Sequence, residues 1–187
     1  LIPLIHKSQT TAKYRVVSNG QQLVRFDYEN YECCCPLDYL DGWEKDLNAA
    51  DIVILSDYAK GVLCNSKKLI SFFKTKNKIV VVDPKHTDIS QYSGADLITP
   101  NYKEFLRYIN MNEKLTNEKL IKNGKKIIIE NNIENLIVTK GQEGFTIINS
   151  KFSFSGNSDA RDVFDVTGAG DTFIAALSYF YVCEMDI

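Results

Sequence analysis

Three short apolar runs, "DIVILS" (51–56), "KIVVVD" (78–83) and "NLIVTK" (135–140), do most to restrict the folds open to this chain. Each is nearly continuous in apolar residues and has no alternation, the pattern of a strand covered on both faces. Helix-like stretches separate them. "SKKLISFFKTK" follows the first, and a short run "ADLIT" (95–99) leads into "PNYKEFLRYI". A long polar helix at about 116–131 precedes "NLIVTK". Strands alternating with helices predict a mostly parallel sheet between helix layers. Gly141 and Gly144 then open a more antiparallel stretch, "GFTIINSKFSFSG".

Ahead of this core, residues 14–29 read as two β-runs around Asn19-Gly20, a strong hairpin signal because both residues tolerate positive φ. The second run alternates Leu23, Arg25 and Asp27 with Val24, Phe26 and Tyr28. That pattern predicts one covered face and one wet face. Leu37, Leu40, Trp43 and Leu47 fall at helical spacing. Trp43 and the Phe72-Phe73 pair read as packing residues, and His6 and His86 as solvated or loop residues.

Composition excludes several classes. A net charge of −2 over 187 residues argues against a nucleic-acid partner. No apolar run reaches the length of a membrane span. No charged-then-apolar leader opens the chain, so a cytoplasmic location is expected. The five cysteines, at 33, 34, 35, 64 and 183, lack zinc-site spacing. The "CCCP" triplet reads as a loop or strand end in a reducing compartment.

In an open parallel sheet, ligands sit beyond the carboxyl ends of the strands. Polar residues mark four such ends: Ser56-Asp57, Asp83-Pro84-Lys85, Asn101, and Thr139-Lys140-Gly141. Together they suggest one cleft. "TGAGD" (167–171) adds a turn of small residues where an apolar helix, "TFIAALSYFYV", begins. Unpaired N–H groups at such a start favour an anion. This helix is expected to be largely buried, through Phe173, Ile174, Leu177 and Phe180. Asp171 reads either as a helix cap or as a base that takes the proton of an attacking hydroxyl. The chain carries neither a P-loop nor a Rossmann fingerprint.

"DVTGAGDTF" (165–173) resembles the C-terminal signature of the ribokinase-type, or phosphofructokinase-B, sugar kinases. "NYKE" (101–104) and "TKGQEG" (139–144) resemble that family's Asn-x-x-Glu motif and nucleotide-binding turn, and stand in family order. The resemblance implies a ribokinase-like three-layer α/β/α fold with a projecting hairpin lid. It also implies that Asp171 is the base and that the amides of Gly168, Ala169 and Gly170 form an anion hole. ATP would lie along Thr139, Lys140, Gly141 and Gly144, and Asn101 and Glu104 would organise Mg²⁺ and phosphate through water. "TTAKYRVVSNGQQLVRFDYE", "LSDYAKGVL" and "VVDPKHTDISQYSGADLITPNYKEF" look like the branch that phosphorylates the anomeric hydroxyl of heptose 7-phosphate on the way to ADP-heptose in lipopolysaccharide core synthesis.

A sugar phosphate needs a cation. Lys13, Arg15, Arg25 and Lys60 are candidates, with Asp57 for a sugar hydroxyl and Lys85 either for the nucleotide phosphates or as a balance to Asp83. For the hairpin cations the competing reading is a charged, solvated sheet edge. The family's first strand, early glycine motif and sugar-gripping aspartate have no counterpart here, nor does the segment that follows its catalytic helix. No H-x-G-H motif appears either. Residues 1–187 therefore read as a partial kinase domain, with a lid-type hairpin at 14–29 and an α/β core at 51–187. Another sugar or sugar phosphate as substrate, or a non-catalytic fragment that keeps the fold, are the alternatives. The hairpin region offers a surface for a homodimer.

Overall fold

The structure is a computed structural model that describes residues 11–19, 21–29, 33, 36, 44–158 and 168–183. Trp43, His6 and the "DVFDVT" half of the catalytic-type motif lie outside these residues, as do Leu37 and Leu40.

Two sheets are present among the described residues. The first is the hairpin of β1 (Ala12–Ser18) and β2 (Gln21–Tyr28), paired antiparallel with an irregularity at Val16/Val17. Asn19 takes the positive φ of 50° that the turn demands. Among the described residues nothing covers the face of the hairpin expected to be buried. Every residue of β2 is exposed, and so is every residue of β1 except Ala12. The alternation instead sorts side chains that meet across the two strands, such as the Tyr14 and Phe26 rings stacked with centroids 4.9 Å apart.

The second sheet has six strands in sequence order: β3 (Ile52–Ser56), β4 (Ile79–Asp83), β5 (Leu97–Ile98), β6 (Asn135–Thr139), β7 (Phe145–Asn149) and β8 (Ser153–Gly156). The first four run parallel, and β7 and β8 turn antiparallel. The helices are α1 (Glu44–Ala49), α2 (Ser66–Thr75), α3 (Tyr102–Tyr108), α4 (Asn117–Glu130) and α5 (Ala169–Val182).

Strand alternation divides the core in two. Val80 and Val82 of β4, and Leu136 and Val138 of β6, pack with Leu69, Ile70 and Phe73 of α2, Phe105 of α3, and Leu120, Ile127 and Ile128 of α4. Val81 and Ile137 point the other way and meet Ile174 of α5. Both faces of the central strands are therefore filled, as their unbroken apolar runs require. The result is a three-layer α/β/α architecture.

The α5 helix departs from expectation. Only Ile174 and Ser178 are buried in it, while Phe180 is 45% exposed and Tyr179 is 67% exposed. Phe173, Leu177 and Tyr181 are partly buried against the sheet. Among the described residues nothing covers the opposite side, so an apolar sequence does not become an all-round buried helix.

Candidate active site

The site begins where β3, β4, β5 and β6 end. A cleft of about 280 Å³ is lined by Asp57, Tyr58, Asp83, Pro84, Lys85, Thr99, Asn101, Glu104, Thr139, Gly170 and Phe173. The four strand-end clusters thus converge on one space and meet the start of α5 there.

Each polar group has a local reason for its place. Asn101 is the N-cap of α3. Its Oδ1 accepts from the Glu104 N–H at 3.0 Å, and Glu104 Oε2 accepts from the Asn101 N–H at 2.9 Å. The Asn-x-x-Glu motif is thus, locally, a capping box. The other carboxylate oxygen, Glu104 Oε1, accepts from Lys85 Nζ at 2.9 Å. Glu104 is almost wholly buried, whereas the Lys85 side chain is half exposed. Lys85 therefore pairs with Glu104.

Asp83 closes β4 between these charges. Burial pushes its carboxyl up to about 6, and the negative Glu104 and Asp171 add to the shift while Lys85 opposes it. The influence of Asp171 puts that side chain within electrostatic reach of the cleft, although it does not line the cavity.

Gly168 is the N-cap of α5, with φ of 76°, so Asp171 sits in the first turn and is exposed. A Cβ added at Gly170 would meet nothing within 4 Å. The backbone there faces open space, as close approach by a ligand requires. Gly144 differs: its φ is 86°, and a Cβ would stand 2.0 Å from the Gly156 carbonyl oxygen. Its role in the turn is set by the fold itself. Thr139 reaches the cleft, while Lys140 lines a separate hollow of about 300 Å³ with Tyr102, Lys114 and Glu143.

The remaining candidates lie on or near the hairpin. Arg25 bonds Asp27 through Nε at 2.8 Å, and Lys60 pairs with Glu29. Lys13 stands opposite Asp27, and Arg15 stands opposite Arg25. Like charges directly across a strand pair repel, and the Asp27 carboxylate that holds Arg25 through two nitrogens offsets part of that repulsion. None of these hairpin residues lines the cleft.

Two features were not read from the sequence. Cys33 and Cys64 form a disulfide, which departs from the reduced loop or strand-end triplet expected of "CCCP". It ties the root of the hairpin to the loop after β3, beside the Lys60–Glu29 ion pair. The second feature is Tyr92, wholly buried and bonded to Asp57 and the Lys85 backbone of the cleft and to the neighbouring His86 N–H. An odd count of five cysteines without a spacing motif gives no signal of the first, and a single tyrosine gives none of the second.

Residues 4–187 match the pfkB family of carbohydrate kinases. The chain belongs to that family. The bifunctional protein HldE of Shewanella loihica is 39% identical over 183 residues, covering 95% of this chain and 38% of the relative. HldE of Coxiella burnetii is 38% identical over 174 residues, covering 90% of this chain and 36% of the relative. The chain thus spans under two fifths of the length of these curated relatives. Phosphofructokinase-2 from Escherichia coli, in complex with substrates and products, superposes with a TM-score of 0.70 at 19% identity, over 95% of this chain and 59% of that one. Ribokinase from Giardia lamblia gives 0.71 at 19% identity, over 93% and 56%. These likenesses establish a ribokinase-like pfkB fold. Among the described residues, no helix is long and apolar enough to cross a membrane.

Proposed function

We propose that the protein transfers the γ-phosphoryl group of ATP to the anomeric hydroxyl of a heptose 7-phosphate, in the ADP-heptose branch of lipopolysaccharide core synthesis. The observation that carries this reading is the convergence of Asp57, Lys85, Asn101, Glu104, Thr139 and Gly170 on one cleft at the carboxyl ends of the parallel strands. The HldE likeness at 39% identity supports the heptose class.

In this reading ATP lies along Thr139, Lys140, Gly141 and Gly144, with its terminal phosphate over the Gly168, Ala169 and Gly170 amides. Asp171 takes the proton of the attacking hydroxyl. Asp57 holds a sugar hydroxyl. Arg15, with Lys13, Arg25 and Lys60, meets the 7-phosphate as the hairpin covers the sugar. Lys85, bonded to Glu104 in the free protein, exchanges that partner for a nucleotide phosphate in this reading.

Burial chiefly raises Asp83, and the negative Glu104 and Asp171 that add to the shift fit a divalent cation arriving with the nucleotide. Among the described residues no three carboxylate, thiol or imidazole groups converge to hold a metal unaided. Asn101 and Glu104 would hold Mg²⁺ through its water, and the ion would neutralise phosphate charge. The apolar side chains of the exposed hairpin, Tyr14, Val16, Val24 and Phe26, fit a second copy of the chain as partner.

The test is ATP consumption by the full-length protein across heptose, hexose and pentose phosphates. Turnover greatest with heptose 7-phosphate supports the proposal. A preference for another sugar overturns the substrate, and no turnover with any overturns the reaction.

A further inference from the structure

We propose that Tyr92 is a positioning residue that sets the sugar-acceptor side of the cleft, through Asp57 and the loop after β4; this rests on the kinase reading above. Tyr92 ends a 3-10 turn, Ile89–Tyr92, in the connection between β4 and β5. Its ring is wholly buried among the α2–α4 side of the core, yet its hydroxyl is fully employed. It donates to Asp57 Oδ2 and accepts from the backbone N–H of Lys85 at 3.0 Å and of His86 at 2.8 Å. A phenol has one donor and two acceptor sites, so all three are used.

These partners belong to different strands. Asp57 follows β3, and Lys85 and His86 follow β4. One oxygen atom thus fixes the relative height of two neighbouring strand ends that line the cleft. Asp57 is held twice, because its Oδ1 also accepts from the Ala59 N–H at 2.7 Å. That bond closes a turn in which Ala59 takes a positive φ of 53°. A carboxylate pinned at both oxygens has one rotamer to offer, and each oxygen keeps acceptor capacity for a sugar hydroxyl. Preorganisation of this kind lowers the ordering cost of binding. Burial and the Asp57 partner push the phenol well above its ordinary range, so it keeps its proton at every working pH.

With its hydroxyl saturated, Tyr92 has nothing left for substrate. It acts through Asp57, and through the Lys85 backbone that carries the ammonium group to Glu104. The Asp57 arm is the weaker to replace, since the phenol O–H is its only side-chain donor in the described structure. The Lys85 side chain keeps its own bond to Glu104 when the phenol is lost. Loss of the hydroxyl should therefore fall on the sugar more than on the nucleotide.

The experiment compares wild type, Tyr92→Phe, Asp57→Asn and the double variant in the full-length protein. Phe keeps the ring, and the melting temperature with amide exchange in β4 and β6 checks that the core is intact. In Tyr92→Phe we expect amide exchange at Ala59, Lys85 and His86 to quicken at least tenfold. The KM for heptose 7-phosphate should rise about tenfold, with the KM for ATP within twofold. The double variant should have an acceptor KM no worse than Asp57→Asn alone. Unchanged exchange at the three amides overturns the proposal. So does an unchanged acceptor KM, an equal rise in both KM values, or multiplicative effects in the double variant. Absence of turnover in wild type with every sugar phosphate overturns the kinase reading, and this proposal with it. Turnover in wild type with an unaffected variant overturns the role of Tyr92 alone.

Discussion

Lys85 Nζ and Glu104 Oε1 stand 2.9 Å apart, one half exposed and the other almost wholly buried. That asymmetry makes the pair an exchangeable contact. In the proposed reading the half-exposed ammonium turns to an incoming anion, and the buried carboxylate keeps the Asn101 N–H but gives up one donor. Lys85→Met should therefore raise the KM for ATP roughly tenfold, the loss of one charge-assisted contact. It should also cost about 1–3 kcal/mol of stability, because a buried carboxylate loses a donor. Steady-state kinetics with varied ATP and chemical denaturation would measure the two effects.

Asp171→Asn should slow turnover by about 10²–10⁴-fold, the usual contribution of a general base. ATP affinity should hold or improve, since a negative charge near the phosphates is removed. Steady-state kinetics and ATP binding at matched stability test this. Near wild-type turnover would reduce Asp171 to a residue that favours the helix start.

The two glycines should part company. Gly170→Ala adds a methyl group to open space in the first turn of a helix, so stability should hold or rise by up to about 1 kcal/mol. ATP affinity should nevertheless fall, because the methyl group takes the volume a phosphate needs. Gly144→Ala meets the Gly156 carbonyl and a forbidden φ together, and should cost at least about 2 kcal/mol. Melting curves with and without ATP separate these outcomes.

The carboxyl of Asp83 sits at about 6 in the fold against 3.8 for the free side chain. The native state thus binds this proton more tightly than the unfolded chain. The penalty is absent below about 4, grows as pH rises, and is complete above about 6. Asp83→Asn should stabilise the protein at pH 7.5, by about 1 kcal/mol after allowance for solvent screening, and by less at pH 4.5. Denaturation across pH would show a gain that climbs between those values. A gain that is flat or falling with pH would contradict it.

The Cys33–Cys64 bridge closes a loop with a sequence separation of 31. In the chain-entropy account such a loop contributes about 3–4 kcal/mol. Cys64→Ser should lower the stability of oxidised protein by up to that amount. In excess dithiol, wild type and variant should unfold together. Denaturation in both buffers, with thiol counting, decides the matter.

Much of the core was legible because parallel strands write a plain code. Val80, Val81 and Val82 are apolar in succession since layers cover both faces, and the strand ends carry the polar residues that meet in the cleft. The motif at Asn101 and Glu104 is legible in position, and its cap geometry is written there too, since Asn with Glu three residues on is the ordinary mark of a helix start. The exposed faces of α5 and of the hairpin are not legible in the sequence for one shared reason. Periodicity reports which side chains share a face, and it says nothing of whether another layer lies against that face. Tyr92 left no trace because a lone tyrosine in "SQYSGA" looks like any loop aromatic until the strand ends are set side by side.

The hairpin carries one more consequence, and it is mechanical. Among the described residues β1 and β2 touch chiefly each other, while the root is pinned through Glu29 and Cys33. Seven residues of strand make an arm about 23 Å long. A turn of about ten degrees at the root would sweep the tip near Asn19 through about 4 Å, more than the length of a hydrogen bond. Leverage of this kind makes contacts at the base answerable for where Arg15 and Arg25 stand, midway along the arm.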